Sequence, residues 1–488
     1  MKILVVHFSD DNFGDMLIEH CFSQLIKVVA DNLGIAPENY KITAMGLKNH
    51  NRELIVDSDI ICFAGGGVFG ISYLNLFEHL SEILTTAEEH NISVIFSSIG
   101  VNNMDVTDDN VHTLSDLLKL SCIKAISVRE NPQLFNDYIC DEQRHVAEVC
   151  DSAVWTSYVY HDEIKDIIKN KTNRDKKVIG INVVRGGLFS DNGKSWSLGK
   201  EAEFLFNLKQ LIEKSGYECK FYTNGSTLDN NTMLYIRDKY DLPEDDLIFV
   251  DNTKDLVQTI ADFDSVVAIR LHSAIICYSL DVPVVNLVWN DKINLFYNAI
   301  NRPDYAISLD DCTEEKVFSL ITDAMNKGYK TDDGYLMTLY RYLYDTFRTI
   351  ADCKNAAPIY SADTIKAKLQ EQQLSCDKEF TDMKVKLYKG QKRYFSQFTK
   401  LRNKDSLLKK TNTELDSLKN TVNKQNKKIT EQKIALDATV SDLKKTQDAL
   451  KKAGQKSDEL KKELDYLERQ FLVRVFRKLE RIKKRMKS

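Results

Sequence analysis

The sequence has no Cys-x-x-Cys pair, no stretch approaching the ~20 apolar residues of a membrane span, and only 3 tryptophans and 6 prolines in 488 residues. Each shortage excludes something. Its 10 cysteines are scattered singly, several inside apolar runs such as "DIICFAGGG" and "AIICYSL". A reduced thiol packs there as a small hydrophobe, so neither a disulfide framework nor a zinc site is expected. No His/Asp cluster or Asp-x-Asp-like pair stands out, and no metal is expected. The N-terminal "MKILVVHFSDDNFGD" turns to acidic residues and glycine too soon for a secretory leader. The expectation is a cytoplasmic protein, at most peripheral on the inner face of the cell membrane.

Charge is unevenly spread. The formal net charge is −5, yet residues 361–488 hold 34 Lys/Arg and 18 Asp/Glu, a net of +16, which leaves −21 on residues 1–360. A body so acidic repels phosphate backbones, so no nucleic-acid partner is expected for it. Any anionic macromolecular partner belongs to the tail.

Hydrophobic residues make up 43% of the chain, enough for two or three cores. From residue 1, short β-branched runs alternate with longer amphipathic stretches: "KILVVHF", "SDIICFAGGG", "SVIFSSIG" and "AISVRE" are each separated by a helical pattern. After the polar "NKTNRDKK" a second series runs "VIGINVV", "ECKFYTNG", "LIFVD", "SVVAIR" and "PVVNLVW". Strand and helix in alternation mean parallel sheets covered by helices on both faces. The reading is α/β: two Rossmann-like, doubly wound domains at 1–165 and 176–350, the second including closing helices. Ligands of such sheets bind beyond the carboxyl ends of the strands.

The last 130 residues contain no proline and no tryptophan. Stepping by seven from Leu401 gives Leu408, Leu415, Val422, Ile429, Leu436, Leu443, Leu450, Ser457, Leu464 and Phe471, one nearly apolar heptad row. The row three residues on is mixed, with Thr411, Gln425, Gln432 and Thr439 beside Leu418 and Leu460. This predicts a helical, coiled-coil stalk over 361–470 that makes a homo-oligomer, dimer or trimer. The last 20 residues, "RQFLVRVFRKLERIKKRMKS", carry nine Lys/Arg and one Glu, with Leu472, Val475, Phe476, Leu479, Ile482 and Met486 at helical spacing. A basic amphipathic helix over 470–488 suits an anionic membrane surface; a solvated helix end or a protein contact are the plainer alternatives.

Polar residues collect where the strands end. "DNFGDM" places Asn12, Gly14 and Asp15 at the first strand-to-helix turn. The turn is not Gly-x-Gly-x-x-Gly, so nothing there indicates a dinucleotide, and helix capping accounts for Asp15 as readily as ligand binding. Gly65, Gly66 and Gly67 follow the next strand, as a tight passage against a ligand or the facing domain would require. Arg129 follows "AISV" with Glu130 beside it, "VCDSAVW" offers Asp151 at the crossover, and Arg185 and Asn224–Gly225 end strands of the second series. "VAIRLHSAIICYSLDVPVVNLVWNDK" then sets Arg270 and His272, the only histidine after His161, into an apolar segment that closes on Lys292. His272 falls in the first turn of a helix, where amide groups favour an anion.

In that order and spacing "NFGDMLI", "AGGGVFG", "SSIGVNN", "SVRE", "TNG" and above all "RLHSAIICYSLDVPVVNLVWNDK" resemble the polysaccharide pyruvyl transferase family over about residues 1–330. The resemblance implies a GT-B-like arrangement of the two domains and transfer of a pyruvyl group from phosphoenolpyruvate, as a ketal, to a sugar of a cell-surface polysaccharide or its lipid-linked precursor. No cofactor is implied beyond phosphoenolpyruvate as co-substrate. His272 and Arg270 become the expected catalytic residues. Arg129, Arg185, Lys292, Asn224, Gly225, Asn12, Gly14, Asp15 and Gly65 to Gly67 become the expected substrate-binding set. Two other readings stand beside this one: a GT-B glycosyltransferase using a nucleotide sugar, and a coiled-coil scaffold with a degenerate enzyme fold.

Overall fold

A computed structural model describes residues 1–8, 12–67, 69, 77–101, 109–139, 145–328, 330–354, 356–372, 411–421 and 436–485. The chain forms two compact units, Met1–Ser375 and Cys376–Ser488.

The first unit holds two six-stranded sheets, all of whose pairings are parallel. One consists of β1 (Lys2–His7), β2 (Lys41–Gly46), β3 (Ile60–Ala64), β4 (Ser93–Ile99), β5 (Ile123–Val128) and β6 (Val146–Glu148), ordered β2-β1-β3-β4-β5-β6. The other consists of β7 (Val178–Asn182), β8 (Glu218–Tyr222), β9 (Leu247–Ile248), β10 (Ser265–Ala268), β11 (Val284–Val288) and β12 (Ala306–Ser308), ordered β12-β11-β10-β7-β8-β9. Both are Rossmann-like, with the order reversing beside the first strand of each series. Every residue of β3, β7 and β11 is buried, which explains why these strands read as unbroken apolar runs rather than alternations.

Three strands go beyond the nine read from the sequence. β2, β6 and β12 all lie at sheet edges, where one side is unpaired; β6 and β12 are only three residues long. Such strands bury too little to write a strong pattern.

The chain passes between the sheets through Ser152–Trp155 and the short helix Thr156–Val159, then returns through the helix Asp333–Ile350. That helix packs on the first sheet: the Tyr342 hydroxyl donates to the Phe96 carbonyl (2.8 Å), and the Thr338 hydroxyl accepts from the Cys150 amide (2.9 Å). Tyr340 donates to the side chain of Asn32 (3.1 Å), at the far end of the helix Phe13–Asn32. With carboxyl edges facing each other and the closing helix back on the first sheet, the arrangement is GT-B-like.

The second unit contains a helix over residues 411–421 and the 50-residue helix Leu436–Arg485. They meet where the buried Ser457 hydroxyl donates to the Asn412 side chain at 2.6 Å. Leu443, Leu450, Leu460, Leu464 and Leu467 are half-buried while most residues between them are exposed, which makes this the partly buried side of the helix. At Ser457 it is met by the chain's own neighbouring helix. The positions Leu401, Leu408, Val422 and Ile429 of the expected stalk lie outside the described residues. Among those described, no helix is long and apolar enough to cross a membrane.

Candidate functional site

Side-chain caps and amides fix the loops at the facing edges. Asn12 caps the helix Phe13–Asn32 by accepting from the Gly14 amide (3.0 Å), and Asp151 caps Ser152–Trp155 by accepting from the Ala153 amide (2.9 Å). Asn290 caps Asp291–Ala299 by accepting from the Lys292 amide (2.9 Å). On the second sheet, Asn182 accepts from the Arg270 amide (2.9 Å) and donates to Asn224 (3.1 Å), whose carbonyl oxygen also accepts from the Ser273 hydroxyl (2.7 Å). Three strand ends, those of β7, β8 and β10, are therefore tied together by buried amides. The Asn224 backbone carbonyl reaches across to accept from the Phe13 amide (3.0 Å), and the Phe13 ring lies against Gly225, whose φ of +87° and absent Cβ make room for it.

Six charged side chains converge between the sheets. His272, in the first turn of the helix Leu271–Ser279, points Nδ1 at the Asp15 carboxylate (3.0 Å). Its Nε2 lies 3.8 Å from Asp151, an ion-pair distance rather than a hydrogen bond, and 3.4 Å from Arg129 Nη1. Arg129 bridges two carboxylates: Nε donates to Glu130 (3.0 Å) and Nη1 to Asp151. Lys292 faces Glu130 at 3.8 Å, and Glu130 also accepts from the Val101 amide (3.1 Å). Gly100 is the floor of this cluster; a Cβ there would come within 3.0 Å of Arg129, Glu130 and Lys292 alike.

All six side chains are 17% exposed or less. Burial penalises every one of these charges, and mutual pairing decides which survive. Burial alone would depress His272, yet the Asp15 and Asp151 carboxylates outweigh it and raise the imidazole to about 9. Against the same burial penalty, His272 holds Asp15 below the usual carboxylate range, and His272 with Arg129 does so for Asp151. Lys292 responds in the opposite direction: burial, only partly offset by Glu130, pulls it down to about 8. His272, Arg129 and Lys292 thus share one buried cluster with Asp15, Asp151 and Glu130.

Other expected site residues lie beside this cluster. Arg270 makes a two-pronged contact with the fully buried Asp229, Nε at 3.0 Å and Nη2 at 2.6 Å, while Asp229 also accepts from the Arg185 amide (2.7 Å). The Arg185 guanidinium pairs with Asp191 at 2.6 Å. Gly65 and Gly66 turn the chain against Ile18 and Phe8. The expected set did not include Glu130, Asp151, Asp229 or Gly100. For the first two the signal existed, an acid next to an arginine at a strand end and an acid at the crossover. For Asp229, on a helix in "STLDNN", nothing local distinguishes it from a surface acid.

Gly14 connects packing to the site. A Cβ would stand 2.6 Å from His272 Cβ, an atom close to the backbone that cannot swing aside. Gly14→Ala is therefore expected to cost ~1–3 kcal/mol of stability and to displace His272 from Asp15. Urea unfolding would measure it, and an unchanged midpoint would mean that the two edges part freely.

Residues 12–291, more than half of the chain and nearly all of this cleft, match the model of polysaccharide pyruvyl transferases. The chain belongs to the polysaccharide pyruvyl transferase family. No curated protein matches this family member closely. Among solved structures it is similar to the UDP-GlcNAc 2-epimerase from Neisseria meningitidis bound to UDP-GlcNAc, 12% identical with a TM-score of 0.47 over 72% of this chain and 100% of that one. It is also similar to the UDP-GlcNAc 2-epimerase from Methanocaldococcus jannaschii, at 9% identity and a TM-score of 0.44 over 72% and 100%. A third is the ADP-heptose LPS heptosyltransferase II of E. coli, at 13% and 0.38 over 67% and 99%. At such identities and scores these likenesses say nothing about the reaction of this pyruvyl transferase family member.

Proposed function

We propose that this chain transfers the pyruvyl group of phosphoenolpyruvate to two hydroxyls of a sugar, as a ketal, on a cell-surface polysaccharide or its lipid-linked precursor. The observation that carries this reading is His272 held charged between Asp15 and Asp151, with Arg129 and Lys292 alongside. The reaction needs a proton on the methylene carbon of phosphoenolpyruvate, turning it into a methyl group. The oxocarbenium-like C2 takes two sugar oxygens, and its bond to the phosphate oxygen breaks. Of the two hydroxyl protons released, one balances the methyl group and one the departing phosphate. An imidazolium suits the first delivery, and a neighbouring carboxylate suits hydroxyl deprotonation. Arg129 and Lys292 supply the donors that a carboxylate and a phosphate require, and Arg270 and Arg185 sit at the neighbouring strand ends.

The decisive experiment compares surface glycan from a strain lacking the protein with glycan from strains restored with wild type or with His272→Ala. Mass spectrometry should find the pyruvate ketal only with wild type. Its presence in the deletion strain would overturn the reading.

Protonation gives a second test. Lys292 and His272 must both be cationic in this scheme, so kcat/KM for phosphoenolpyruvate should fall as pH rises, with an inflection near the Lys292 value of about 8. Lys292→Arg, which does not titrate in this range, should move the inflection to the His272 value of about 9. Phosphate release across pH 7 to 10 (about the span of both groups) measures it; a flat profile would remove both groups from the scheme.

A further inference from the structure

We propose that the last turns of the helix Leu436–Arg485 dock on an anionic membrane surface. Along this helix, two neighbouring rows at seven-residue spacing form a partly buried seam. Leu443, Leu450, Ser457, Leu460, Leu464 and Leu467 line it and are wholly or half buried. The next positions of the same two rows are Phe471, Arg474, Lys478, Arg481 and Arg485. Four of those five are cations, so the seam ends near Phe471 although the helix runs on unbroken to Arg485.

Beyond that point the apolar residues move to another face. At 100° per residue, Leu472, Val475, Phe476, Leu479 and Ile482 share a stripe about 120° wide, rotated by roughly a quarter turn from the seam. Arg474, Arg477, Lys478, Arg481, Lys484 and Arg485 fall on the opposite half of the helix, Lys483 falls within the stripe, and Glu480 is the one acid among residues 469–485. An apolar stripe backed by dense positive charge fits a bilayer interface: the stripe sinks to headgroup level and the long basic side chains reach the lipid phosphates. The body's net charge of −21 would be repelled by such a surface, so the tail alone must supply the attraction.

Sedimentation of the full chain with vesicles of phosphatidylcholine, and of phosphatidylcholine with about a third phosphatidylglycerol, tests this. Partition onto the anionic vesicles should exceed that onto neutral ones by ~100-fold or more and fall steeply with added salt. Two variants should each lose it: a chain ending at residue 469, and a full-length Leu472→Asp/Leu479→Asp chain. Far-ultraviolet circular dichroism and the urea midpoint of the first unit report folding. Binding that ignores salt, binding that survives either variant, or failure of the full chain to bind would overturn the proposal, a protein partner then being the occupant to seek.

Discussion

His272→Gln is expected to lower phosphoenolpyruvate-dependent turnover by ~10²–10⁴-fold, the usual worth of a positioned general acid or base. Glutamine can still donate toward Asp15, so the cleft keeps its hydrogen bond but loses its proton source. The same substitution carries a stability signature of fixed sign. Because the folded protein raises His272 from about 6.5 to about 9, its pairing with Asp15 and Asp151 contributes fully below pH 6.5 and is lost as pH rises through 9. The thermal midpoints of wild type and variant should therefore differ most at the acid end of that window and converge above it. Turnover within tenfold of wild type would assign the proton to another group.

The largest loss of stability is expected from Arg129→Met. Glu130 and Asp151 are 6% and 2% exposed, and the one guanidinium serves both. Removing it leaves two buried carboxylates facing each other with only His272 and Lys292 to neutralise them, and breaking a buried pair from one side costs ~3–5 kcal/mol. Arg129→Lys should recover little, since a single ammonium cannot reach both carboxylates in the planar fork that Arg129 uses. Arg129→Met/Glu130→Gln should recover part of the loss by removing one orphaned charge. The deficit should shrink as pH falls through the carboxylate range, because the wild-type contribution of Asp151 is present above the ordinary value of 3.8 and is lost on acidification. Urea denaturation at several pH values measures this; a cost below ~1 kcal/mol would mean the cluster behaves like a solvated surface pair.

The fold was legible where burial is complete. β3, β7 and β11 announce themselves as β-branched runs because helices cover both faces, whereas β2, β6 and β12, at edges, do not. The candidate site was legible in part where chemistry contradicts its surroundings: of the histidine and the arginine in one apolar segment, His272 sits among the cleft's charges, while Arg270 is paired with the buried Asp229. What local pattern does not encode is pairing across the fold. Arg129, Arg185 and Arg270 look equivalent in sequence, each ending a strand, yet Arg129 bridges Glu130 and Asp151, Arg185 meets Asp191, and Arg270 is gripped by Asp229. Their different electrostatic fates depend on residues 22, 6 and 41 positions away. Glu201 is a further case: an acid in the first turn of an amphipathic helix reads as a solvated cap, but it is buried, and that burial, reinforced by Asp229, pushes it up to about 8.

The returning helix Asp333–Ile350 also leads the chain back to the far end of the helix Phe13–Asn32. After it, Tyr360 is bound to Asn32 and Asp31, and Lys368 pairs with Asp31, all at the end of the helix that opens with Asn12 and Asp15. The opening and closing segments of the first unit are thus latched to one another, so loosening one end is expected to loosen the other.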